Sequence, residues 1–242
     1  MSDLYDTIGC GYGRVRREEP RIAARILAAL DGLASVVNVG AGSGSYEPRD
    51  RKLVAVEPSR VMIRQRAAGA APVVRASASC LPFRDGAFDA ALAVLTIHHW
   101  PDLARGLAEL RRTAHHRVVI LTHDTTVPSF WLADYFPEMA EMVRESVPSI
   151  EEVRRHLGAI SIVDVPVPHD CRDGFLGAYW RRPHHYLDPE VRAGISLFAK
   201  LPRLESGLAA LREHLASGEW TRRYGRLLEL AELDLGYRLV IA

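Results

Sequence analysis

The chain has 242 residues, 48% of them hydrophobic, and its 31 Lys and Arg against 30 Asp and Glu leave a formal net charge of +1. That balance gives no electrostatic footprint for nucleic acid, and three scattered cysteines, Cys10, Cys80 and Cys171, argue against a disulfide framework or a C-x-x-C metal site. The longest apolar run, Ala87 to Ile97, contains Asp89 and is too short to cross a bilayer, and the start "MSDLYDTIGC" has neither the basic nor the apolar region of a signal peptide, so a soluble cytoplasmic protein without a membrane partner is expected.

The length suits a single α/β domain with an elaboration. "PRIAARILAAL" sets Ile22, Ile26, Leu27 and Leu30 at helical spacing, with Pro20 in the first turn where its missing N–H does no harm. Short β-rich runs follow: "SVVNVG", "KLVAVE", "APVVRA", "FDAALAVLTI" and "RVVILT". Helical patterns lie between several of them, "SRVMIRQRAA" after the second and "PDLARGLAELRRTA" after the fourth. Alternation of this kind predicts βαβ units and a parallel sheet, and near-continuous apolar strands predict cover on both faces. After Thr122 the pattern changes. A segment at 124–158 carries Phe130, Trp131 and Tyr135 among turn formers and reads as a lid. "AISIVDVPV" reads as a strand, a mostly helical stretch at 174–233 as an inserted cap, and "LDLGYRLVIA" as the closing strand. Insertions not needed to complete a sheet usually shape a site.

The loop "VVNVGAGSGSYE" places Gly40, Gly42 and Gly44 in alternation directly after the first strand. A phosphate loop of the G-x-x-x-x-G-K type is excluded, because no Lys follows at that spacing. The dinucleotide fingerprint G-x-G-x-x-G fails at Ser45. What remains, G-x-G-x-G, lets the backbone approach a ligand closely. Glu57 ends the next strand, where a carboxylate can accept from a ribose diol. Loop and acid together point to a ligand that contains a nucleoside.

With "VAVEPS", "ASASCLPFRDGAFDAALAVLTIHHW" and "PDLARGLAELRR", the chain resembles the Rossmann-like, class I S-adenosylmethionine-dependent methyltransferases, in particular the ubiquinone/menaquinone-biosynthesis branch. The resemblance covers roughly Val36 to Thr122, with a looser N-terminal match at "YDTIGCGYGRVR". It implies a mostly parallel seven-stranded sheet with helices on both faces and a last strand running antiparallel; the helical insertion before that strand lies outside the resemblance. It implies S-adenosylmethionine as cofactor and S-adenosylhomocysteine as product. By the same resemblance Gly40, Ala41, Gly42 and Gly44 face the cofactor, Glu57 with Pro58 beside it holds the ribose, Ser77 and Ala78 lie at the adenine edge, and Leu95 and Thr96 line the sulfonium. Tyr12 and Arg16 would fold over the cofactor, Arg16 pairing its carboxylate. The chain departs from the family pattern in three places. Asn38 stands where an acid is usual, Ser77 stands where Asp is usual, and "SYEPRDRKLVAV" leaves room for only a very short crossover helix.

A sulfonium methyl is already activated, so alignment is the main catalytic demand. A base is needed only where the acceptor keeps a proton. His98 and His99 after the fourth strand, His123 and Asp124 after the fifth, and His169 and Asp170 after the sixth are the candidates, and a histidine there has a usable pKa. Adjacent on a strand, His98 and His99 would point to opposite faces. A small, largely apolar acceptor with an O, N or C nucleophile would meet His123, Phe130, Trp131 and Tyr135 of the lid and Tyr179, Trp180 and Arg181 of the cap. No metal spacing is present. The rival readings are a nucleotide-dependent oxidoreductase and a non-catalytic protein that keeps the cofactor pocket.

Overall fold

The computed structural model describes residues 15–242. Its framework is a seven-stranded sheet in the order β3-β2-β1-β4-β5-β9-β6. The strands are β1 (Ser35–Val39), β2 (Lys52–Val56), β3 (Val73–Val74), β4 (Phe88–Val94), β5 (Ala114–His123), β6 (Ser161–Asp164) and β9 (Tyr237–Ile241). β1 to β5 pair in parallel, and β9 runs antiparallel to both β5 and β6. The predicted antiparallel last strand is therefore present, inserted between its neighbours rather than at the edge.

The central strands are apolar on both faces because both faces are covered. On one, Ile22, Ile26 and Leu30 of α1 (Pro20–Ala29) and its end pack with Val36, Leu92 and Val119. On the other, Leu107 and Leu110 of α2 (Leu103–Thr113) and Val153 and Leu157 of α3 (Ile150–Leu157) pack with Val37, Ala91 and Ile120. Successive strand residues go to opposite faces, which sorts these valines and alanines between two cores. Polar side chains start the helices: Glu19 accepts from the Arg21 amide, Asp102 from Arg105 and Ser149 from Glu152. α3 falls within the segment read as a lid, yet it is an ordinary covering helix of the sheet.

Between β1 and β2 the crossover contains no helix, only turns. Arg66, just beyond the five-residue helix Arg60–Arg64, reaches across to hold this loop. Its Nη2 donates to both oxygens of Glu47 at 2.9 and 2.8 Å, and both side chains are buried. Arg112 pins the "LPFRDG" turn, donating to the carbonyls of Leu81 and Phe83 and to Asp85.

The cap enters and leaves through a two-stranded ribbon, β7 (Val167–Pro168) with β8 (Glu232–Leu233). Within it lie short 3-10 turns and the helices Pro189–Ala193, Leu204–Ala216 and Glu219–Tyr224. Its position follows from β9: Tyr237, the first residue of that strand, sits opposite His123, the last of β5. The cap therefore hangs at the carboxyl ends of the parallel strands. Its aromatic residues form a core with the lid rather than the wall of a cleft. The Trp131 ring meets Trp220 at 5.3 Å and Tyr186 at 5.6 Å, and its indole N–H donates to the Trp180 carbonyl at 2.7 Å. Trp180 has no exposed surface and donates to the Val167 carbonyl at 3.0 Å.

Candidate functional site

A cavity of about 350 Å³ opens beyond the carboxyl ends of β1, β2 and β4, the place where open α/β sheets hold ligands. The glycine loop forms its floor. Gly40 and Gly42 have φ of +73° and +53°, and a Cβ on Gly40 would lie 2.1 Å from Thr96 Oγ1. Glycine is thus needed at position 40 for conformation and for space. Gly40, Ala41 and Gly42 line the cavity. Gly44 is not among the lining residues; it abuts the guanidinium of Arg66 and shapes the loop from behind.

Glu57, buried at the end of β2, accepts from the Gly42 amide at 2.8 Å and from the Ser59 amide at 2.9 Å. Those bonds fix its carboxylate between loop and strand, on the cavity lining. Pro58, Ser77, Ala78, Leu95 and Thr96 complete the predicted wall. Leu95 has φ of +49°, rare for a residue with a Cβ. This left-handed turn at the end of β4 directs the chain into the 3-10 turn Ile97–His99.

That turn corrects the expectation for the two histidines. They are not on a strand, and their rings lie together, 3.8 Å between centroids. His99 lines the cavity, while His98 lines a neighbouring one with Thr125 and Arg144. Burial pushes both well below the ordinary histidine value, His98 to about 4. Each is neutral at pH 7 and holds an added proton poorly. His169 lies away from the cavity, half-exposed, with Nδ1 3.1 Å from the Ala231 carbonyl.

Tyr12 lies outside the described residues. Arg16 reaches the cavity, but its guanidinium is already matched. It pairs with the fully buried Asp173 at the entry to the cap, at 2.6 Å through Nε and 3.2 Å through Nη2. Asp173 also accepts from the Tyr46 hydroxyl at 2.9 Å. Tyr46 and Asp173 escaped the sequence reading because they stand 127 residues apart, with no spacing signal to join them. Trp100 was missed as a lining residue too. Its ring lies where a Cβ on Gly106 would come within 2.3 Å, so Gly106 is a trace of its position.

Among the expected acceptor contacts, His123 and Phe130 line a second cavity of about 50 Å³ with Leu176 and Tyr237. Burial lowers the His123 pKa, and its Nδ1 has no hydrogen-bond partner among the described residues. Trp131, Tyr135, Tyr179 and Trp180 belong to the aromatic core and line neither cavity. Arg181 lies outside both, donating to the Leu230 carbonyl. Cys171 is buried, and that burial pushes its thiol up to about 12.

Residues 37–122 match the family model described as a methyltransferase domain. A structure from Anabaena variabilis, described as a candidate methyltransferase of an antibiotic-biosynthesis pathway, is 33% identical, with 94% of this chain and 98% of that chain covered and a TM-score of 0.87. Two others share the fold at lower identity. One is a SAM-dependent methyltransferase of Thermotoga maritima, at 22% identity over 69% of this chain and 86% of that one, TM-score 0.57. The other is the [4+2]-cyclase SpnF, at 17% identity over 99% of this chain and 92% of that one, TM-score 0.58. The match to the Anabaena structure spans nearly the whole of both chains, and with it the chain belongs to the S-adenosylmethionine-dependent methyltransferases.

Proposed function

We propose that the chain moves the methyl group of S-adenosylmethionine to an O, N or C nucleophile of a small, largely apolar organic molecule held beside the 350 Å³ cavity. One observation carries the placement of the cofactor: the loop amide of Gly42 and the carboxylate of Glu57 are bonded to each other on the wall that also holds Leu95 and Thr96. The cavity suits the cofactor in two further respects. Gly42 leaves room that a side chain would fill, its Cβ position lying 3.3 Å from Met62 Cε. Asn38 lines the cavity, and its buried Oδ1 lacks a donor among the described residues.

When bound, the cofactor supplies an activated methyl, so alignment is the protein's main task. Glu57 accepts from the ribose hydroxyls. Ser77 and Ala78 border the adenine, and Leu95 and Thr96 border the reacting end. Arg16 serves as a strap rather than a carboxylate clamp, since Asp173 takes its charge. His99, neutral and on the wall, accepts a hydrogen bond from the acceptor and orients it; a histidine held so far below neutrality is a poor proton store. The acceptor's apolar part lies toward His123 and Phe130, with the cap above it. The description of the Anabaena relative supports a small biosynthetic intermediate as the acceptor.

Calorimetric titration with S-adenosylhomocysteine tests the placement. Charged hydrogen bonds contribute about 1.5–3 kcal/mol each, so Glu57→Ala should weaken binding at least about tenfold. An unchanged Kd in a folded variant would remove Glu57 from the site.

A further inference from the structure

In the cavity wall, a neutral amide stands above a buried ion pair. Asn38 is 2% exposed. Its Nδ2 donates to Glu47 Oε1 at 3.3 Å, and its Oδ1 has no donor among the described residues. Glu47 is held in turn by Arg66, which also donates to the Ala71 carbonyl at 3.1 Å and the Gly42 carbonyl at 3.4 Å. Glu47 stands in the helix-free crossover and Arg66 reaches it from beyond β2, so a charged brace holds the loop.

We infer that Glu47 is a positioning residue for the cofactor: it fixes the Asn38 amide so that Oδ1 is presented to the methionyl ammonium, directly or through one water. The inference rests on the cofactor placement proposed above. Its physical basis is the asymmetry of an amide. Glu47, paired to Arg66, is a pure acceptor, so it admits the NH2 end of Asn38 and repels the oxygen end. The amide is thereby locked in one orientation, with its oxygen left over. A buried acceptor without a donor is costly. A ligand that brings an N–H removes that cost, and an ammonium has three N–H donors. Arg66 neutralises Glu47, so the device acts through orientation rather than net charge.

The test compares two probes by calorimetry, S-adenosylhomocysteine and 5′-methylthioadenosine, which keeps the adenosine and the thioether but lacks the amino acid. Glu47→Gln keeps the shape and supplies a donor, so both orientations of Asn38 become allowed. The expected result is a loss of about tenfold in affinity for S-adenosylhomocysteine, with the affinity for methylthioadenosine within about threefold of wild type. Should Glu47→Gln fail to fold, Asn38→Leu removes the oxygen at similar volume and carries the same expectation. Equal losses for both probes would make Glu47 a loop support and overturn the inference, as would no loss for either. Wild-type protein that binds neither probe would overturn the cofactor placement itself, and the inference with it.

Discussion

Glu57 and His99 share one cavity but answer to different physics. Glu57 is held by the Gly42 and Ser59 amides; His99 is kept neutral by burial, and by the charges of Lys200 and Arg16 near it and its contact with His98. Unfolded histidines titrate near 6.5, while His98 in the fold titrates near 4 and His99 lower still. Between those values the unfolded chain binds protons that the folded chain refuses, so stability falls as pH drops from about 7 to about 4. Urea unfolding across that range should report the decline, and His98→Asn should flatten it; an unaltered slope would mean that His98 is not the group responsible. For turnover, both histidines stay neutral from pH 6 to 8, so the rate should have no histidine inflection there. At this scale the lining of the larger cavity was legible in the sequence, because Gly40, Gly42, Glu57, Leu95 and Thr96 each sit next to a strand end. His169 was not: a strand end also precedes it, but the two-residue ribbon β7 turns it to the surface.

Trp180 is the clearest case in which an element, rather than a residue, decides the role. Its composition suggested an acceptor contact, but it is fully buried and bonded to β7 at the neck of the cap. Trp180→Ala should therefore destabilise the protein by about 3–5 kcal/mol, measured by urea unfolding, instead of lowering turnover in a stably folded enzyme. A variant with wild-type stability and a selective fall in kcat/KM would return Trp180 to the acceptor site. The helices and parallel strands were legible because their periods and caps are local properties of the chain. The crossover between β1 and β2 was legible as too short for more than a stub of helix. What replaces the helix was not, since Arg66 and Glu47 meet only after the chain folds back. The cap's aromatics read alike as cavity wall or core, because composition does not separate the two.

Across the whole molecule, Asp173 joins three parts: Arg16 ahead of α1, Tyr46 in the crossover loop and the entry to the cap, where Asp173 itself stands. Removing one partner of a buried pair costs about 3–5 kcal/mol. Asp173→Ala should lose about that much stability in urea and should also weaken S-adenosylhomocysteine binding, because Arg16 and Tyr46 both line the cavity. Lost stability with full affinity would make Asp173 a structural tie only. The same arrangement sets the relation between the two sites. The 350 Å³ cavity lies past β1, β2 and β4, and the smaller cavity lies past β5, where Leu176 and Gly177 of the cap line it. The central claim is that one cavity holds the cofactor with its reacting end turned toward Leu95 and Thr96. A crystal structure of the complex with S-adenosylhomocysteine tests it most directly. The ribose hydroxyls should lie within hydrogen-bond distance of the Glu57 carboxylate and the sulfur beside Leu95 and Thr96; density for the ligand in another cavity, or in this one with the ribose away from Glu57, would contradict the account.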